Sequence, residues 1–150
     1  MTTSRSEPAE SKLIRIVAAV ILNSAGETLL VRKRGTAAFM QPGGKPAEGE
    51  SEIGALEREI VEELGCALQP DSCRPLGRFR AAAANEPGWT VCADLFSAAL
   101  SGEIRAAAEI EEAIWVDPDR DSGIELAPLT RAHALPLARA LKAHSEGRPE

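Results

Sequence analysis

A short amphipathic segment in this chain carries more glutamate than local helix energetics favour. From Glu50 to Gly65 the sequence reads ESEIGALEREIVEELG, with Glu50, Glu52, Glu57, Glu59, Glu62 and Glu63 set against one basic residue, Arg58. Ile53, Leu56, Ile60 and Leu64 recur at helical spacing and predict a single apolar stripe. Glu52, Glu59, Glu62 and Glu63 fall on a neighbouring face, where Glu59 lies three residues from Glu62 and four from Glu63. Each like-charge pair at that spacing costs an isolated helix roughly 0.2–0.5 kcal/mol. Glu62 and Glu63 also approach the helix C-terminus, where the macrodipole disfavours anions. Gly65 is placed to end the helix in the left-handed conformation. A hard divalent cation with oxygen ligands would remove the penalty. A solvated acidic face is the plain alternative.

The residues just before this helix decide between the two. Gln41-Pro42-Gly43-Gly44 is a rigid turn followed by two positions without side-chain bulk. Such a turn lets backbone N–H groups approach an anion closely. A Gly-Gly pair alone is commonly only a turn. Leading directly into a carboxylate-rich helix, it points to a place where phosphate and metal meet.

The segment resembles the signature of the Nudix hydrolase family. That signature is Gly, five residues, Glu, seven residues, Arg-Glu, an aliphatic, any residue, Glu-Glu, any residue, Gly and an aliphatic. Gly44, Glu50, Arg58, Glu59, Ile60, Glu62, Glu63 and Gly65 match it at the required spacings. Cys66 replaces the last aliphatic, a mild departure because a buried Cys behaves as a small hydrophobe.

The rest of the sequence sets outer bounds. A length of 150 residues, 44% hydrophobic and 27% charged, suits one soluble domain with its own core. A net charge of −6 argues against electrostatic binding to duplex nucleic acid or to an anionic membrane. Cys66, Cys73 and Cys92 form no metal-like spacing and suit a reducing compartment, so the expected location is cytoplasmic. Residues 1–12 read as a flexible tail without the apolar core of a signal peptide, 13–144 as a single domain, and 145–150 as a second flexible tail.

Strands are expected over residues 13–22 and 27–34, the latter completing a hairpin, and over 76–82, 89–100 and 113–117. A second helix is expected over 130–143, with Pro136 in a first turn or at a kink. These elements make an α/β protein with a mixed β-sheet. The resemblance implies the more specific α/β/α sandwich.

The resemblance also implies hydrolysis of a nucleoside diphosphate linked to another group. Glu59, Glu62 and Glu63 become the metal-ligand candidates, for Mg²⁺ or Mn²⁺ as its substitute, with Glu50 as a structural carboxylate. Arg58 would orient a glutamate, and Gly43 and Gly44 would give backbone approach to substrate. In some family members a glutamate outside the signature completes metal binding or activates water. Here that region holds Glu109, Glu111 and Glu112, and Glu109 is the candidate base. Phe39 and Trp89 read as loop aromatics able to stack on a base, whereas Trp115 reads as core. Arg32, Lys33 and Arg34 end one strand, and Arg78 and Arg80 lie on another. One or two of these cations would hold terminal phosphates, with Arg32 and Arg34 the candidates. His133 and His144 read as surface residues, since no Ser or Cys motif accompanies them.

A short chain without an added recognition domain fits a small nucleoside triphosphate, split to monophosphate and pyrophosphate, with removal of damaged nucleotides as the specific reading. A non-catalytic nucleotide sensor or regulator on the same fold is the alternative from another class. Dimers occur in the resembling family, which leaves a homodimer open.

Overall fold

A computed structural model describes residues 12–147. Residues 1–11 and 148–150 of the two expected tails lie outside the described residues. The elements run β1 (Leu13–Ile21), β2 (Thr28–Lys33), β3 (Phe39–Met40), β4 (Gly43–Gly44), α1 (Glu52–Leu64), β5 (Ala67–Leu68), β6 (Arg74–Ala82), β7 (Thr90–Ala98), β8 (Leu100–Ser101) and β9 (Ile110–Val116). A π-helical turn, Thr130–Ala134, then leads into α2 (Leu135–Gly147).

β1 organises the molecule. It lies in a mixed sheet ordered β4-β1-β7-β6, parallel to β7 and antiparallel to β4. Its continuous apolar run is what a strand covered on both faces requires. Val17, Ala19 and Ile21 face one core with Leu56, Ile60 and Leu64 of α1. Ala18 and Val20, in the alternate positions, face a second core with Ala134 and Ala138 at the other helix. The helices therefore cover opposite faces, and the chain is an α/β/α sandwich.

Several expectations change in detail. β1 and β2 do not form a full hairpin. They share only the bridge Leu22–Thr28, after which β2 joins a second antiparallel sheet ordered β3-β2-β9. β9 begins at Ile110, earlier than residue 113, because Ile110 is buried and Glu111 and Glu112 continue the strand. The apolar stripe of α1 starts at Ala55, and Ile53 is 41% exposed because the first helical turn lies outside the packed layer. Full burial of Leu56, Ile60 and Leu64 is worth about 1.5–3 kcal/mol each.

The ends of α1 are closed as the sequence demands. Ser51 Oγ accepts from the Gly54 N–H at 2.9 Å. Gly65 adopts φ 66° and donates its N–H to Val61 O at 3.0 Å. Pro136 follows the π turn inside one helical run, residues 128–147, so it lies in a helix interior rather than in a first turn, and the irregular turn beside it marks the expected break. The wider π turn precedes it, and the helix continues through Gly147, into the stretch read as a tail. β6 is an edge strand with a register shift between Pro75 and Gly77.

Candidate active site

A cavity of about 430 Å³ opens between the N-terminal half of β1, the end of β2, the Gly-Gly strand β4 and α1. Glu59 and Glu63 of α1 both line it, as do Gly43, Gly44, Lys33, Lys45 and Glu109. Ile14, Ile16, Met40 and Val91 form an aliphatic wall, and Asn85 and Glu86 come from the β6–β7 turn.

The glycines are required by close approach. A Cβ on Gly44 would run into the Glu59 carboxylate, and one on Gly43 would collide with the Val17 carbonyl and Ala18. Gly43 also has φ 155°, which side chains other than glycine rarely adopt. Its N–H donates to Glu63 Oε1 at 3.2 Å. The anion facing this backbone amide is thus the protein's own carboxylate. Upstream, the Thr130 hydroxyl donates to the buried Gln41 Oε1 and ties the turn to the entry of the second helix.

The acid pair is electrostatically strained. Glu63 is only 8% exposed, and burial, followed by repulsion from Glu59, pushes its carboxyl up to about 8. The Gly43 N–H works in the opposite direction without cancelling the shift. Burial also raises Glu59, opposed by Arg58. Arg58 is a hub. It donates from Nε to Glu50 Oε2 at 2.8 Å, from Nη2 to Glu50 Oε1 at 2.9 Å, and from Nη1 to Glu59 Oε2 at 3.2 Å. Its Nη1 also lies 3.5 Å from Glu62 Oε2. The bidentate grip and the Ala47 N–H hold the Glu50 carboxyl down at about 2.

The family model for the NUDIX domain matches residues 12–138. The chain belongs to the Nudix family. Among solved structures, a MutT Nudix hydrolase from Burkholderia pseudomallei is 27% identical, with a TM-score of 0.67 over 84% of this chain and 95% of that one. The ORF135 protein of E. coli is also 27% identical, with a TM-score of 0.65 over 95% and 98%. A MutT protein from Methanosarcina mazei Go1 shares the fold at 24% identity, with a TM-score of 0.69 over 97% and 100%. No curated protein sequence matches at a significant level. As a Nudix pyrophosphohydrolase, the chain acts on pyrophosphate bonds in nucleoside diphosphate-linked compounds.

Within this Nudix domain the expected site residues separate into groups. Glu59, Glu63, Gly43, Gly44 and Glu109 meet at the cavity. Of the three acids before Trp115, only Glu109 lines it. Glu111 and Glu112 pair with Arg34 at 2.7 Å and Arg32 at 2.9 Å. Glu62 does not line the cavity. Its side chain is 52% exposed beside Arg58, because it lies on the solvent side of Glu59. Glu52 shares the angular face of Glu59 but sits almost two turns before it, about 10 Å along the axis, where it lies 3.8 Å from Arg78 and away from the cavity.

The cation and aromatic candidates are redistributed. Arg32 and Arg34 do not line the cavity, whereas Lys33, between them on β2, does. Alternation along the strand is the signal that separates them. Arg78 is held by Asp94 at 2.8 Å, away from the cavity. Phe39 is buried at 7% exposure with Leu30 and Val116, and Arg32 lies 5.8 Å from its ring centre, so it offers no free face. Trp89 is half-buried at the base of the β6–β7 turn, and Asn85 and Glu86 of that turn line the cavity in its place. Trp115 packs against the main core as expected. His133 stacks on Phe79 with ring centres 4.8 Å apart, and His144 is exposed.

Nudix enzymes are in general divalent-metal dependent. Among the described residues, no three His, Cys, Asp or Glu side chains converge as a ready-made metal cage. The donors that do meet nevertheless fit a hard dication. Glu59 and Glu63 supply carboxylate oxygens one helical turn apart, and burial raises both, Glu59 against the opposing pull of Arg58. Mg²⁺ retains several waters and needs few carboxylates.

Proposed function

We propose that the chain is a Mg²⁺-dependent pyrophosphohydrolase of small nucleotides, with Mn²⁺ as a substitute. The leading substrate is a nucleoside triphosphate, released as monophosphate and pyrophosphate, with clearance of damaged nucleotides as the cellular role. One observation carries this reading: the buried Glu63 and the half-buried Glu59 face the same cavity as the side-chain-free Gly43 and Gly44 and the cations Lys33 and Lys45.

Glu59 and Glu63 would hold the metal. A dication there would offset phosphate charge and make an attacking water more acidic. Lys33 and Lys45 would take phosphate oxygens, a correction of the Arg32 and Arg34 expectation that rests on their place in the cavity. Arg58 would orient Glu59 while anchored to Glu50. Glu109 would accept the proton from water. The aliphatic wall of Ile14, Ile16 and Val91 would cover one face of the base, with Asn85 and Glu86 at its polar edge. Three free cysteines, Cys66, Cys73 and Cys92, suit a cytoplasmic location. Among the described residues, no helix is long and apolar enough to cross a membrane.

Incubation of the purified protein with a nucleotide panel and Mg²⁺, read by product chromatography, tests the proposal. Release of monophosphate and pyrophosphate from a triphosphate supports it. Tight nucleotide binding without turnover on any compound would favour the sensor instead.

A further inference from the structure

Arg34, Ala108 and the last carbonyls of α1 converge on one short segment. The final turn of α1 has orphan carbonyls that need donors. Two of these come from the loop between β8 and β9. Arg105 N–H donates to Leu64 O at 2.7 Å, and Ala107 N–H donates to Glu63 O at 2.9 Å. The loop is therefore bonded to the backbone of the residue that carries a cavity carboxylate. Ile110 N–H then donates back to Ala107 O at 2.9 Å, closing a tight turn around Ala108 and Glu109.

Inside that turn Ala108 has φ 55°, a left-handed conformation uncommon for a residue with a Cβ. Such a conformation persists only where the surroundings enforce it. Arg34 supplies the enforcement from across the sheet. Its backbone N–H donates to Glu109 O at 2.7 Å. Its Nη2 donates to Ala108 O at 3.3 Å and its Nη1 to Glu111 Oε1 at 2.7 Å. Pairing of β2 with β9 shifts register between Arg32 and Lys33, which lets the strand pass over Glu111 and lets the arginine reach back over the turn.

We infer that Arg34 is a positioning residue: it fixes the left-handed turn at Ala108 and thereby holds Glu109 at a set offset from Glu63. The inference rests on the proposed role of Glu109 as proton acceptor, and it places Arg34 behind the reacting groups rather than on the phosphates. The backbone N–H, which every variant keeps, holds the Glu109 carbonyl, whereas the guanidinium fork holds two acceptors, the Ala108 carbonyl and the Glu111 carboxylate. Lysine cannot bridge these acceptors at once.

The test is a double-mutant cycle of Arg34→Ala and Glu109→Ala, with kcat and KM measured on the best triphosphate and melting temperature as a folding control. The expected result is that Arg34→Ala lowers kcat at least tenfold, changes KM less than twofold, and lowers kcat no further when Glu109 is already Ala. Arg34→Lys should recover part of kcat. Ala108→Gly should stay near wild type, since glycine takes this φ freely, and Ala108→Val should resemble Glu109→Ala. A raised KM with unchanged kcat in Arg34→Ala would return this residue to phosphate binding and overturn the inference. Additive losses in the cycle would overturn it while leaving the role of Glu109 intact. An unaffected Glu109→Ala would remove both. Amide exchange gives a readout independent of turnover: the Ala107 and Ile110 amides should exchange faster in Arg34→Ala, with those of Leu29 and Leu30 unchanged. Unaltered exchange at Ala107 and Ile110 would also overturn the inference.

Discussion

The backbone N–H of Gly43 donates to Glu63 Oε1 across 3.2 Å, joining the Gly-Gly strand to the acidic helix through a carboxylate that is almost wholly buried. The bond fixes the carboxylate without neutralising it. Burial and Glu59 still dominate its protonation.

Glu63→Gln keeps an acceptor for the Gly43 amide and removes the charge. Turnover should fall by about two to three orders of magnitude, the scale seen when one preorganised electrostatic group is removed. Melting in chelator at pH 8 should occur at a higher temperature than in the wild type, because a repelled, desolvated anion is gone. Steady-state kinetics and calorimetry check the two outcomes. Unchanged turnover would refute the ligand assignment.

Metal-free protein should lose stability as pH rises from about 5 to about 8. The sign follows from linkage. Glu63 has a folded-state value of about 8 against a model value of 4.5, so in that window the native state retains a proton that the unfolded state has released. The slope approaches roughly 1.4 kcal/mol per pH unit for one such group. Chemical denaturation in chelator across this range would show it. Glu63→Gln should flatten the slope, and added Mg²⁺ should restore more stability at pH 8 than at pH 5.

Gly44→Ala should abolish activity with only a moderate loss of stability. The new methyl would occupy the space of the Glu59 carboxylate. Displacing that carboxylate removes one of the two cavity acids, while overpacking of this kind costs about 1–3 kcal/mol. A folded variant, by circular dichroism, that retains wild-type kcat/KM would contradict the close-approach argument.

Arg58→Ala should move the acidic limb of the pH–rate profile upward. Arg58 lowers the Glu59 carboxyl against burial, so its removal leaves Glu59 protonated to higher pH. Arg58→Lys should behave similarly, because lysine cannot reproduce the two bonds to Glu50 and the third to Glu59. An unchanged limb would mean that Glu59 titration does not govern the rate.

Much of the fold is written in local chemistry. The helix end at Gly65 and the continuous apolar strand around Val17 follow from backbone rules that act over a few residues. The local signal fails where tertiary pairing decides. Leu22 and Thr28 read as the start of a hairpin, yet the two strands part into different sheets because β4 and β7 take the two places beside β1. Ile53 has the right spacing for the core and still lies exposed, since spacing gives direction around a helix and not how far the neighbouring layer extends.

The candidate site divides in the same way. Glu59 and Glu63 are legible from one helical turn, and Gly43 and Gly44 from their missing side chains. Arg32 and Arg34 look like better phosphate ligands than Lys33, but β2 alternates and sends the lysine to the cavity. The aliphatic wall of Ile14, Ile16 and Val91 is assembled by parallel pairing of strands far apart in sequence, which no local pattern reports.

The outermost strand of the larger sheet has its own consequence. β6 carries Pro75, a register shift beside it, and exposed arginines at Arg74, Arg78 and Arg80. A proline cannot donate to an incoming ladder, and like charges repel a second copy laid alongside. This border is thereby guarded against fibril-like growth by strand addition.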